Sequence, residues 1–175
     1  MPHKSPPDAV LLPLKGMPAF AVGVVFALLR WQFWVRRWIR LDGREEFAKR
    51  TVAIFGLHAL AGFKSTAIAG LLLRDCDPER RLIVVRMLGR ATELPISGAL
   101  AYLLKQWMDV RPTSPLPELF VTRTGAIHRS TIMALARAVG ATFGVGGLAE
   151  LLQRFFFDAL SRTGDKEAYR YYRAA

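Results

Sequence analysis

The sequence predicts a mainly α-helical fold of integral membrane helices, with two to three spans and a small soluble-facing hairpin segment. Three observations carry this expectation. Low-charge apolar runs occupy 10–29, 52–73 and 131–149, and basic connectors separate them. Tryptophan and arginine crowd together directly after the first run, where a membrane–water boundary would place them. The 175 residues are 52% hydrophobic, yet 25 Lys+Arg against 14 Asp+Glu leave a net charge of +11. A basic chain with a positive mean hydropathy of +0.22 is either a membrane protein with cationic loops or an apolar nucleic-acid binder.

The same composition excludes other classes. This much apolar content can bury a core, so the chain is not disordered. Cys76 is the single cysteine, so no disulfide framework exists. The length allows one domain or a small bundle of long helices.

Residues 1–9 hold three prolines and read as an extended tail without the features of a cleavable presequence. Residues 10–29 hold one charge, Lys15, in twenty positions, about the thickness of a bilayer core. Pro18 suits the first position of a helix, so the first span runs over about 10–35. At 100° per residue, Trp31, Trp34 and Trp38 share one sector, while Arg30, Arg36, Arg37 and Arg40 gather opposite. These seven residues are the expected lipid-binding belt, with arginine reaching lipid phosphate. An amphipathic helix with its tryptophans in a core remains the alternative. The stretch 30–50 holds seven Lys/Arg, which by the positive-inside rule puts it on the cytoplasmic or matrix side.

Asp42-Gly43 marks a turn, and 44–50 is a charged helical start. Residues 52–73 form the second expected span, with Lys64 near its middle at a cost of about 2.5–3.5 kcal/mol unless it faces a partner or a cavity. Gly62, Thr66 and Gly70 recur every four residues and give an expected helix-packing face. Residues 74–81 are a polar turn, and 82–97 read as two β-branched runs around Gly89-Arg90, a hairpin. Residues 98–108 read as an amphipathic helix. The prolines of 111–118 mark a linker. Ser130 is the expected N-cap of a third span over about 131–152, in which Ala136, Gly140 and Gly144 again supply a small-residue face. The expected organisation is therefore a tail (1–9), a membrane hairpin with its basic loop and soluble-facing segment (10–110), the linker (111–118), and a Gly-rich helix with a basic tail (119–175).

No residue pattern specifies catalysis. His3, His58, His128 and Cys76 are scattered without metal-ligand spacing, so neither a metal nor a haem is expected. Phe63 stands where a phosphate-binding loop needs a glycine before Lys64, which rejects that loop.

Two stretches resemble known families. The segments AGFKSTAIAGLLLRDCD, ERRLIVVRMLGRATELPIS and LFVTRTGAIHRSTI, within 46–135, resemble in order and spacing the catalytic domain of tyrosine recombinases. That resemblance implies a helix bearing a catalytic arginine, a hairpin bearing a catalytic lysine, and the segment that follows. Here Lys64 takes the arginine's place and Leu88 the lysine's. The family's His-x-x-Arg box reads Leu151-Leu152-Gln153-Arg154. Tyr169, Tyr171 and Tyr172 come too early for the nucleophile, so the resemblance implies a catalytically inactive DNA-binding relative. Separately, residues 136–172, through Gly140, Phe143, Arg154 and Asp158, are similar to the four-helix family of mitochondrial inner-membrane translocase channels and their complex I relative. Asp165 and Lys166 replace that family's following glycine pair.

Hydropathy and charge favour the second line. The expected role is a non-catalytic accessory subunit of a large respiratory, ATP synthase or translocase complex in the mitochondrial inner membrane, with a bacterial inner membrane fitting the same facts. Its partners would be other membrane subunits and anionic lipid, with bound cardiolipin and no other cofactor. The alternative is the inactive recombinase-fold protein, with nucleic acid as partner.

Overall fold

The computed structural model describes residues 44–87, 90–142 and 144–174. Helix α1 (Arg44–Ala61) runs through the middle. Its charged first turn lies at the surface, with Glu45 pairing to Lys49 one turn on at 2.9 Å. From residue 51 to residue 63 every position is buried. A helix apolar on all sides belongs either in a bilayer or in the centre of a domain, and here neighbouring helices supply the apolar surroundings. Helix α3 (Gly98–Met108) packs on one side of α1 and α5 (Leu148–Arg162) on another.

Between α1 and α3 come a one-turn helix α2 (Ser65–Ala69), a 3-10 turn (Leu73–Asp75) and a three-stranded antiparallel sheet. The sheet is β1 (Cys76–Asp77), β2 (Leu82–Met87) and β3 (Arg90–Pro95), in that spatial order. Strands β2 and β3 pair from Leu82↔Pro95 to Met87↔Arg90. Ile83, Val85 and Leu94 turn inward to the core, as the two-residue period of a half-buried sheet requires. Ser97 caps α3 by accepting from the Leu100 N–H, and Leu100, Leu103, Leu104 and Trp107 form its buried stripe.

The proline-rich stretch 111–118 is tied down by one residue. The Arg111 guanidinium donates to the carbonyls of Pro112, Leu116, Glu118 and Leu119 at 2.8–3.3 Å. Trp107 also donates to the Leu119 carbonyl, and its ring stacks on Phe120 with centroids 6.0 Å apart. A two-residue hairpin, β4 (Val121–Thr122) with β5 (Gly125–Ala126), leads into α4 (Arg129–Thr142), α5 and α6 (Lys166–Ala174). Helix α4 starts one residue before Ser130, which therefore sits in its first turn rather than at its cap.

This architecture overturns the membrane fold class. Among the described residues no helix is long and apolar enough to cross a membrane. The expected span 52–73 ends at Gly62, whose φ of +67° stops α1, and the chain then turns through α2 to an exposed Gly70. The expected span 131–152 is two helices with a turn between them, and α4 buries only one face, through Ile132, Ala136, Val139 and Gly140. The expected span 10–35 and the belt of Arg30, Trp31, Trp34, Arg36, Arg37, Trp38 and Arg40 lie outside the described residues.

The small residues at four-residue spacing do different jobs. Gly62 ends a helix, Thr66 is exposed on α2, and Gly70 caps α2. Ala136 and Gly140 share the buried face of α4, whereas Gly144 lies past its end at φ +67°. A Cβ at residue 62 would come 2.5 Å from the Phe156 ring, so that glycine admits an aromatic side chain rather than a neighbouring membrane helix.

Candidate nucleic-acid interface

Where α1 stops, two side chains hold the chain that follows. His58, 1% exposed, donates from Nδ1 to the Phe63 carbonyl at 2.7 Å. Gln153 reaches from α5 and donates to the Gly62 carbonyl at 2.8 Å. With those two carbonyls fixed and Phe63 buried, the extended backbone of Lys64 (φ −75°, ψ 152°) puts its side chain into solvent. Burial pushes the His58 imidazole down to about 4, against smaller opposing effects from the Phe63 carbonyl and the Glu150 carboxylate, so the ring is neutral at pH 7. With Nδ1 holding the proton, Nε2 carries a lone pair and meets no protein partner.

Lys64 stands between two cavities. The inner one, about 150 Å³, is lined by His58, Lys64, Arg129, Glu150 and Gln153 among others. The outer one, about 440 Å³, is lined by Lys64, Thr66, Asp75, Arg86 and Arg173. Arg86 forks onto the Asp75 carboxylate at 2.7 and 2.8 Å. This hydrogen-bonded pair holds the Asp75 carboxyl below the usual carboxylate range, and burial works against the shift. Cations therefore converge from four parts of the chain: the α1–α2 link, β2, the start of α4, and α6.

No family model matches the sequence, and no curated protein matches it. Solved structures do. The XerA recombinase aligns with a TM-score of 0.62 at 20% identity, covering 73% of this chain and 50% of its own. An integrase from mycobacterium phage Brujita aligns at 0.57 and 20%, covering 94% of this chain and 47% of its own. The XerH site-specific recombinase bound to its difH substrate aligns at 0.60 and 18%, covering 83% and 44%. The fold is that of the recombinases and integrases. This chain spans about half the length of each. With the recombinase fold in place, the membrane and mitochondrial assignments, the respiratory-chain role and the membrane-subunit partners lose their support. Two of the spans they rested on, 52–73 and 131–152, are each interrupted here, and the first, 10–35, lies outside the described residues.

Within the recombinase fold, the expected positions fall out unevenly. Lys64, in the arginine's place, lines both cavities. Leu88 lies outside the described residues. Of the box 151–154, Leu152 is core and only Gln153 reaches the inner cavity. Arg154 is 80% exposed and turned toward Asp158, 3.9 Å away. The pair that α5 presents to the cavity is Glu150 and Gln153, one residue earlier at the start of the box. Tyr172 is buried, edge-on to Phe156, and its hydroxyl donates to the Pro95 carbonyl at 2.6 Å. The Tyr169 hydroxyl accepts from Arg173, and the Tyr171 side chain is outside the described set.

For the translocase resemblance, Phe143 is likewise outside the described residues, Gly140 is packed inside, and Arg154 and Asp158 are a surface pair. Cys76 is buried, and that burial pushes its thiol up to about 12, far from a reactive thiolate. Among the described residues no three metal-ligating side chains cluster.

Sequence reasoning missed Arg86, Arg129, Arg173 and Glu150 as cavity residues. A signal for Glu150 and Gln153 was present: two polar residues three apart, placed directly after a glycine-rich break.

Proposed function

We propose that this chain binds duplex DNA through the face around Lys64 and does not cleave it. The observation that carries the reading is the recombinase fold over most of the chain, with exposed Lys64 and Arg173, from separate elements, lining one cavity. Several of the similar structures hold DNA, among them the XerH complex and the Tn1549 transposon integrase with circular-intermediate DNA, which aligns at a TM-score of 0.58 and 16% identity. A net charge of +11 adds long-range attraction for a phosphate backbone.

The non-cleaving half rests on the inner cavity. Cleavage of a phosphodiester builds negative charge on the phosphoryl oxygens, which fixed donors must stabilise. The resemblance calls for arginine at residue 64 and a His-x-x-Arg pair on α5. This chain offers lysine, glutamate and glutamine. Lysine remains a point-charge phosphate contact but lacks the bidentate fork, and the Glu150 carboxylate opposes the developing charge.

Binding to a labelled duplex across 50–300 mM salt tests this. The expected result is a linear fall of log K with log salt, with a slope of about −2 if Lys64 and Arg173 each neutralise one phosphate. Lys64→Gln is expected to shallow the slope by about one unit and weaken binding equally for every sequence. No binding at the lowest salt sinks the DNA reading. A covalent protein–DNA adduct that survives denaturing detergent sinks the non-cleaving half.

A further inference from the structure

We propose that Glu150 keeps phosphate out of the inner cavity. The inference extends the DNA-binding reading, since it confines a bound backbone to the outer cavity of Lys64, Arg86 and Arg173, but the exclusion itself is testable without DNA.

Lys64 and Arg129 are both exposed at the inner cavity and would draw an anion toward it. His58 offers the Nε2 lone pair, because its Nδ1 proton is committed to the Phe63 carbonyl. The Ser65 hydroxyl donates to the Met133 sulfur at 3.4 Å, and Thr66 is exposed in the same lining. Gln153 gives one amide N–H to the Gly62 carbonyl and keeps a second N–H and its Oε1. Glu150 adds a full negative charge, the single acidic side chain among the residues lining this space. Lys64, Arg129 and the Thr66 hydroxyl could meet a phosphate there, but the Glu150 carboxylate sets a like charge against it and the His58 lone pair adds an acceptor it cannot use. The outer cavity differs. Its acidic residue, Asp75, is 6% exposed and already forked by Arg86, so its charge is offset and turned inward.

The test compares the full-length chain with Glu150→Gln and Glu150→Asp. Residue 150 is exposed in the first turn of a 15-residue helix, and glutamine is a good helix former, so the variants are expected to fold. Equal urea midpoints verify that. Inorganic phosphate is the probe, followed by calorimetric titration. Glu150→Gln is expected to bind phosphate at least about tenfold more tightly than the unsubstituted chain, with Glu150→Asp unchanged and Glu150→Gln/Lys64→Gln losing the gain. On duplex DNA, Glu150→Gln is expected to tighten binding and steepen the salt slope by about one unit, as one more phosphate is admitted. Equal phosphate affinity in the unsubstituted chain and Glu150→Gln overturns the proposal, including the case in which neither binds. If the unsubstituted chain binds no duplex while Glu150→Gln gains phosphate, the DNA-binding reading falls and the exclusion stands.

Discussion

The two described apolar runs that look like membrane spans, 52–73 and 131–149, are each broken by a glycine in left-handed conformation, but the two breaks are built differently. At Gly62 the chain is sealed on every side. Phe156 and Phe157 press on the glycine, Gln153 takes its carbonyl, His58 takes the next one, and Phe63 is buried. At Gly144 and Gly147, between α4 and α5, the glycines also have positive φ, yet a Cβ at 144 would meet nothing within 4 Å and one at 147 only the end of the Glu150 side chain. The sealed break fixes the backbone that aims Lys64 into both cavities. The open break only reverses the chain. A turn that positions a charged group needs its carbonyls held from outside, because left-handed geometry alone sets a direction but not a stiffness.

Substitutions can sharpen this contrast, and the largest effect is expected at the sealed break. Gly62→Ala adds the strain of a left-handed Cβ, about 1–2 kcal/mol, to an overlap with Phe156 that costs about 1–3 kcal/mol more. The expected sum is about 3 kcal/mol, read from urea unfolding. A loss below about 1 kcal/mol would show that the aromatic seal yields easily.

His58 gives the next effect through pH. Its folded value is about 4 against 6.5 when unfolded, so between those values the unfolded chain binds the extra proton. Stability is therefore full above about pH 6.5 and falls as pH drops toward 4, by up to about 3 kcal/mol for a shift of this size. His58→Gln removes that component. Unfolding curves at pH 7 and 4.5 that change by the same amount in both proteins would rule out the buried neutral histidine.

Gly144→Ala is the smallest, expected to cost about 1 kcal/mol from the backbone alone and to leave DNA binding unchanged. If it costs as much as Gly62→Ala, the two breaks are not different in kind.

Much of the local structure is readable without coordinates. The β-branched Ile83-Val84-Val85 run opposite Arg90–Pro95 reads as a hairpin, because short β-branched runs on either side of a Gly-containing turn suit paired strands. The helix over Gly98–Met108 follows from its apolar stripe and from Ser97 before it. The order and spacing of 61–77, 79–97 and 119–132 carry the resemblance to recombinases. The solvent of each helix is not readable in the same way. Residues 51–63 are apolar on every face, and an all-apolar helix has one sequence signature whether lipid or protein surrounds it. Lys64 carried the objection to a span: a lysine in the middle of an apolar run is cheap only where the run ends, and it does end two residues earlier.

The sequence by itself determined the periodicities and the excess of positive charge, because these depend on residue type and spacing alone. The tertiary structure decided that α1 is a core helix, that residue 153 and not 154 faces the cavity, and that Glu150 joins Lys64, Arg129 and His58 there. Those decisions need contacts between residues far apart in the chain, such as Gln153 to Gly62, 91 positions apart. A one-residue shift on a helix turns a side chain by about 100°, which changes what it faces without changing any pattern visible along the sequence.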